Sequence, residues 1–170
     1  MAQHDGVEPR PNGPYFKTRT EKTSQGDVFN DVPLQVTLPT DDGGEITSEQ
    51  AMVLTASCHI DHRTDWLIVA PVLSPDRVGL DAVTLGGIRE YDCHHRVMLL
   101  PAEGDRPERV VRLDRQQPIS RQTLELCDRD SQLTLQATRQ LMRKLVLYQT
   151  GNHFPREVFG LPDGDFDETP

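Results

Sequence analysis

The chain has 170 residues, 35% of them apolar and 26% charged, with 13 prolines and 12 glycines. That length bounds a single domain with a real core, and no stretch approaches the roughly 20 apolar residues a membrane span requires. The net charge of −9, from 18 basic and 27 acidic residues, opposes non-specific nucleic-acid binding, because phosphates need a basic field.

The start MAQHDGVEPR lacks a basic-then-apolar signal pattern, so a cytoplasmic protein is expected. An odd count of 3 cysteines without an export signal argues against a disulfide framework. It leaves buried thiols, a metal site or one reactive thiol.

In chain order, residues 1–24 mix proline, glycine and charge without period and are expected to form a loose lead-in. GDVFNDVPLQVTLP, 26–39, suits a strand, a bend and a second strand, and DDGG, 41–44, is a turn signal. MVLTASC, 52–58, alternates in part, and WLIVAPVL, 66–73, reads as a central strand ending near Pro71. The segment 76–90 is ambiguous, because Leu80, Val83 and Ile88 have helical spacing while Gly86 and Gly87 weaken it. RVMLLP (96–101) and ERVVRLDRQQPI (108–119) read as strands joined by a hairpin-like AEGDRP. The second of these sets Val111 and Leu113 opposite Arg112 and Asp114.

SQLTLQATRQLMRKLVLYQT, 131–150, predicts a helix, with Leu133, Ala137, Leu141, Leu145 and Tyr148 forming an apolar stripe. Asp130 or Ser131 is expected to cap it, with Gly151 as its stop. Residues 25–155 are thus expected as one domain, followed by an acidic tail over 156–170. The expected class is α+β: a small SH3-like barrel or strongly curled antiparallel sheet with a C-terminal helix covering its apolar side.

Two polar clusters interrupt the apolar runs, one holding Cys58, His59 and His62 and the other Cys93, His94 and His95. Zinc favours a tetrahedron of thiolate and imidazole. Cys58 and His62 are spaced to curl round one ion, and an extended 91–96 would turn Cys93 and His95 the same way. Cys58, His62, Cys93 and His95 are therefore the candidate zinc ligands. A second reading makes Cys58 a nucleophile with His59, His62 or His94 as base and Asp61 or Asp92 as orienter. A third makes the cysteines buried thiols and the histidines turn or surface residues, with Cys127 a small core residue. Arg106, Arg109, Arg112, Arg115 and Arg121, interleaved with acids, read either as a solvated mixed-sign face or as the rim of a partner or RNA groove.

The segment order over roughly 25–150 resembles the PemK/MazF-type toxins, which are small SH3-like barrels. QGDVF (25–29) is similar to the family's opening strand, AMVLTAS and WLIVAPVLS to its central strands, and ERVVRLDRQQPISRQTLE (108–125) to the strand and turn before its closing helical region. The resemblance implies a dimer or an antitoxin-like protein partner, and an endoribonuclease or a relative that has lost that activity. The family's arginine–proline step has no counterpart in SEQAMV, and Ser74 is the position matching its later hydroxyl. The expected function is a non-catalytic or weakly catalytic binding module with a possible zinc site. The alternative is a divergent toxin cleaving single-stranded RNA. There Ser74, His59 or His94, and Arg112 would serve phosphate chemistry, the histidine as base and the arginine against phosphoryl charge.

Overall fold

A computed structural model describes residues 13–18, 20–36, 45–61, 64–91 and 94–150. Among the described residues the fold is α+β, with one eight-stranded antiparallel sheet and four helices. The strands are β1 (Phe16–Lys17), β2 (Asp27–Val36), β3 (Glu45–Val53), β4 (Trp66–Leu73), β5 (Val97–Leu100), β6 (Arg109–Arg112), β7 (Gln117–Ser120) and β8 (Arg129–Leu133). The helices are α1 (Ser57–Asp61), α2 (Ala82–Tyr91), α3 (Arg121–Glu125) and α4 (Leu135–Thr150). The sheet order is β1-β8-β2-β3-β4-β6-β5, and β7 pairs with β4.

β4 organises the sheet. One edge pairs with β3, while the other pairs with β7 over Trp66–Val69 and with β6 over Val72–Leu73. Pro71 falls in the gap between those two stretches, where the ladder on that edge is already broken. A proline is tolerated there, and the strand runs on to Leu73 rather than ending at it.

β2 is one strand rather than two. Its irregularity is a bulge between Phe29 and Val32, where Asp31 takes φ 55°. The extra residue shifts the side-chain alternation, so Phe29 and Val32 both enter the same core. Beyond the bulge β2 curls round towards β7. The Gln117 side chain accepts from the Gln35 N–H at 2.9 Å and donates to the Gln35 carbonyl at 3.2 Å. This amide bridge joins the two strands, and among the described residues no strand pairing closes the sheet.

The sheet has two buried faces. One holds Val28, Met52, Ala70, Val72, Met98 and Val111 beneath Ala137 and Leu141 of α4. The opposite face holds two clusters. Ile60 of α1 and Leu124 of α3 pack with Phe29, Val53, Leu67 and Val69, while Ile88 of α2 packs with Leu73, Leu99 and Val110. Alternation along each strand divides them: Val69 and Ala70 are neighbours in sequence and belong to different faces.

Several expectations need correction. The helix over 131–150 begins only at Leu135, because Ser131–Leu133 belong to β8. Leu133 fits a helical stripe and an alternating strand equally well, and its pairing with Phe16 places it in the strand. Neither Asp130 nor Ser131 caps α4. Thr134 does, its hydroxyl accepting from the Ala137 N–H at 3.4 Å. The segment 108–119 is two strands separated by a 3-10 turn at Leu113–Arg115. The ambiguous 76–90 segment contributes a 3-10 turn at Pro75–Arg77 and then α2. The stretch before residue 25 supplies β1, with Tyr15 and Phe16 buried. The expected turn at 41–44, the stop at Gly151 and the acidic tail lie outside the described residues.

Candidate functional site: the Trp66 cleft

At the β4–β7 end of the sheet, Trp66 lies opposite Ser120 and Ile68 opposite Pro118. Directly opposed residues of antiparallel strands share a face. By alternation this is the face that carries Ala70 and Val72 under α4. Helix α4 lies over β5, β8 and the Leu113–Arg115 turn and does not reach this end, so Trp66 is 60% and Ile68 38% exposed. Trp66 lines an open cleft of about 630 Å³ with Asp65, Ser120, Arg121, Gln122 and Glu125.

The cleft is held in shape by its own hydrogen bonds. Ser120 caps α3, its hydroxyl accepting from the Thr123 N–H at 3.1 Å. The Arg121 N–H donates to the Asp65 carbonyl at 2.8 Å. Its guanidinium donates from Nε to the Thr64 carbonyl at 3.0 Å and from Nη2 to the Ile60 carbonyl. That side chain pins the α1–β4 connection, so its charge is engaged with backbone oxygens. Asp65 and Glu125, both exposed, are the carboxylates of the lining.

Of the candidate zinc ligands, His62 and Cys93 lie outside the described residues. Cys58 is exposed on α1, which packs on the face opposite α4. His95 lies in the turn before β5, beside His94 whose carbonyl accepts from Lys144 of α4. The two described ligands thus lie on separate elements, Cys58 on α1 and His95 in the turn between α2 and β5. The extended 91–96 segment is also corrected, since Tyr91 ends α2 and His95–Arg96 form a turn. Among the described residues, no group of three or more His, Cys, Asp and Glu side chains is arranged to hold a metal ion.

The residues proposed for phosphate chemistry divide similarly. His59 precedes β4 on α1 and Ser74 follows it, which puts them at opposite ends of an eight-residue strand of roughly 23 Å at about 3.3 Å per residue. The Ser74 hydroxyl is bonded to the Asp76 carboxylate, which lowers that carboxyl's pKa. His94 and Arg112 do come near one another, around Asp114. Arg112 forks that carboxylate from Nε and Nη2, each at 2.7 Å, and donates from Nη1 to the Val78 carbonyl at 3.1 Å. Burial is the largest single influence on the Asp114 carboxyl and raises its pKa, but Arg112, a backbone hydrogen bond and Arg115 together bring it below the ordinary range. The His94 and His95 rings lie nearly parallel, 12° apart with centroids at 5.7 Å. Burial first, then neighbouring cations including Arg96 and Lys144, lowers the pKa of each, which favours neutral imidazole at pH 7.

The arginine run is solvated only in part, with Arg115 exposed and the Arg106 side chain 40% exposed. Arg109 is buried and donates to Gln50 at 2.7 Å and Asp130 at 3.2 Å, its guanidinium resting over the Phe16 ring. Arg112 and Arg121 are committed as described above. Cys127 packs partly buried against the core around Leu124, and burial pushes its thiol pKa up.

Sequence reasoning recognised Trp66 as a strand residue and missed its exposure. The available signal was the alternation that puts residues 66 and 68 on one face; the reach of α4 was not readable. No protein-family model matches this chain, and no characterised protein matches it in sequence.

Proposed function

We propose that the chain is a non-catalytic protein-binding module, a curled SH3-like barrel of the PemK/MazF type whose binding face is the Trp66 cleft. The observation that carries this reading is a large aromatic side chain, 60% exposed, lining a cleft in which Ser120 and Arg121 are fixed by hydrogen bonds to the backbone. Exposed aromatics beside fixed polar groups are what binding surfaces use as anchors. The groups that RNA cleavage would need are committed elsewhere: Arg112 to Asp114, and Ser74 to Asp76. The charge of −9 also favours a protein segment over RNA as partner. The barrel assignment rests on the curl of β2 towards β7 and the 3-10 turn between β6 and β7.

A displayed library of random dodecapeptides, selected on the full chain, tests the reading. Peptides retained by the wild type and lost from a stably folded Trp66→Ala variant are expected. Peptides held equally by both proteins would remove the cleft from the proposal. Single-stranded RNA of mixed sequence should stay intact with the protein under chelator. Cleavage that disappears in His94→Ala would favour the nuclease reading instead.

A further inference from the structure

We propose that the cleft takes a cationic peptide side chain, arginine or lysine, laid across the Trp66 indole between Asp65 and Glu125. The inference rests on the binding-module reading and adds the chemistry of the ligand.

Three features select a cation. The indole face is the strongest aromatic acceptor for a guanidinium or ammonium group, and its quadrupole acts without desolvating a protein charge. The carboxylates of Asp65 and Glu125 stand in the same lining. Among the described lining residues the one base, Arg121, donates to the Thr64 and Ile60 carbonyls. The described lining therefore offers a ligand two carboxylates and a guanidinium already engaged with backbone oxygens. Exposed Ile68 and Pro118 continue the same face along β4 and β7. That gives the aliphatic stem of a lysine or arginine an apolar floor while its charged head meets the carboxylates. A wholly apolar ligand would strip water from two carboxylates without replacing it. An acidic peptide or an RNA would meet like charge, locally and from the chain as a whole.

The site carries its own reporter, because Trp66 is the only tryptophan in the chain. The full-length protein is titrated at physiological salt with hexa-arginine and hexalysine, and with hexaglutamate and octauridylate in parallel, following Trp66 emission. A saturable change with the two cationic peptides alone is expected. The Asp65→Asn/Glu125→Gln double variant, with unchanged melting temperature, should bind them about five- to tenfold more weakly, as loss of two exposed ion pairs implies. Binding as tight as wild type by that variant would assign the attraction to overall charge and overturn the proposal. Absence of any response to hexa-arginine, while library peptides still depend on Trp66, would overturn the ligand class and leave the binding module standing. A response to octauridylate instead would overturn both readings.

Discussion

Arg77 grips Glu49 through two hydrogen bonds of 2.8 and 2.6 Å, tying the turn after β4 to the middle of β3. The guanidinium beside it holds the Glu49 carboxyl below the usual carboxylate range, with burial opposing more weakly. Because the folded-state pKa is the lower one, the stabilisation is complete above the unfolded value of about 4.3. It is lost as pH falls through the lowered folded value. Glu49→Gln should cost about 1–2 kcal/mol at neutral pH, between the exposed-pair and buried-pair ranges because Arg77 is partly solvated. The gap to wild type should close in acid as the wild-type carboxyl protonates. Urea unfolding across that pH range measures both effects.

Lys144 is buried in α4, and its ammonium donates to the His94 carbonyl at 2.8 Å and the Val97 carbonyl at 3.0 Å. It anchors the helix to the turn that opens β5. Lys144→Met keeps the stem volume but removes the donors from two carbonyls, and should destabilise by about 1–3 kcal/mol. Hydrogen exchange should rise at β5 before it rises at β3.

Leu141 and Met142 are adjacent on α4 with opposite surroundings, Leu141 fully buried and Met142 50% exposed. Leu141→Ala should cost about 2–5 kcal/mol through lost burial and a cavity. Met142→Ala should stay within about 0.5 kcal/mol of wild type. Equal effects would show that α4 does not lie on the sheet as described.

Gly26 opens β2 with φ +87°, and a Cβ there would lie 2.9 Å from the Leu133 side chain. Backbone strain and overpacking act together, so Gly26→Ala should destabilise by about 1–3 kcal/mol. Thermal unfolding checks this, and a neutral substitution would contradict the approach of β8 to β2.

The thiols should differ in reactivity. Cys58 is exposed and Cys127 partly buried, and burial pushes the Cys127 thiol up, reducing its thiolate fraction. Alkylation followed by peptide mass spectrometry should modify Cys58 before Cys127.

Local pattern was enough for the α+β class, for the existence of β4 though not its end at Leu73, and for the stripe of Ala137 and Leu141, because alternation and helical spacing are properties of neighbouring residues. It failed at Ser131–Leu133, where three residues satisfy either period and only the pairing of Leu133 with Phe16 decides. The bulge at Asp31 was equally hidden, since it matters only through the shared core of Phe29 and Val32. Which arginines are buried, what α1 and the His94–His95 turn pack against, and where α4 stops short of Trp66 all depend on side chains distant in sequence. Those relations exist only once the sheet has curled, and the candidate site is made entirely of them.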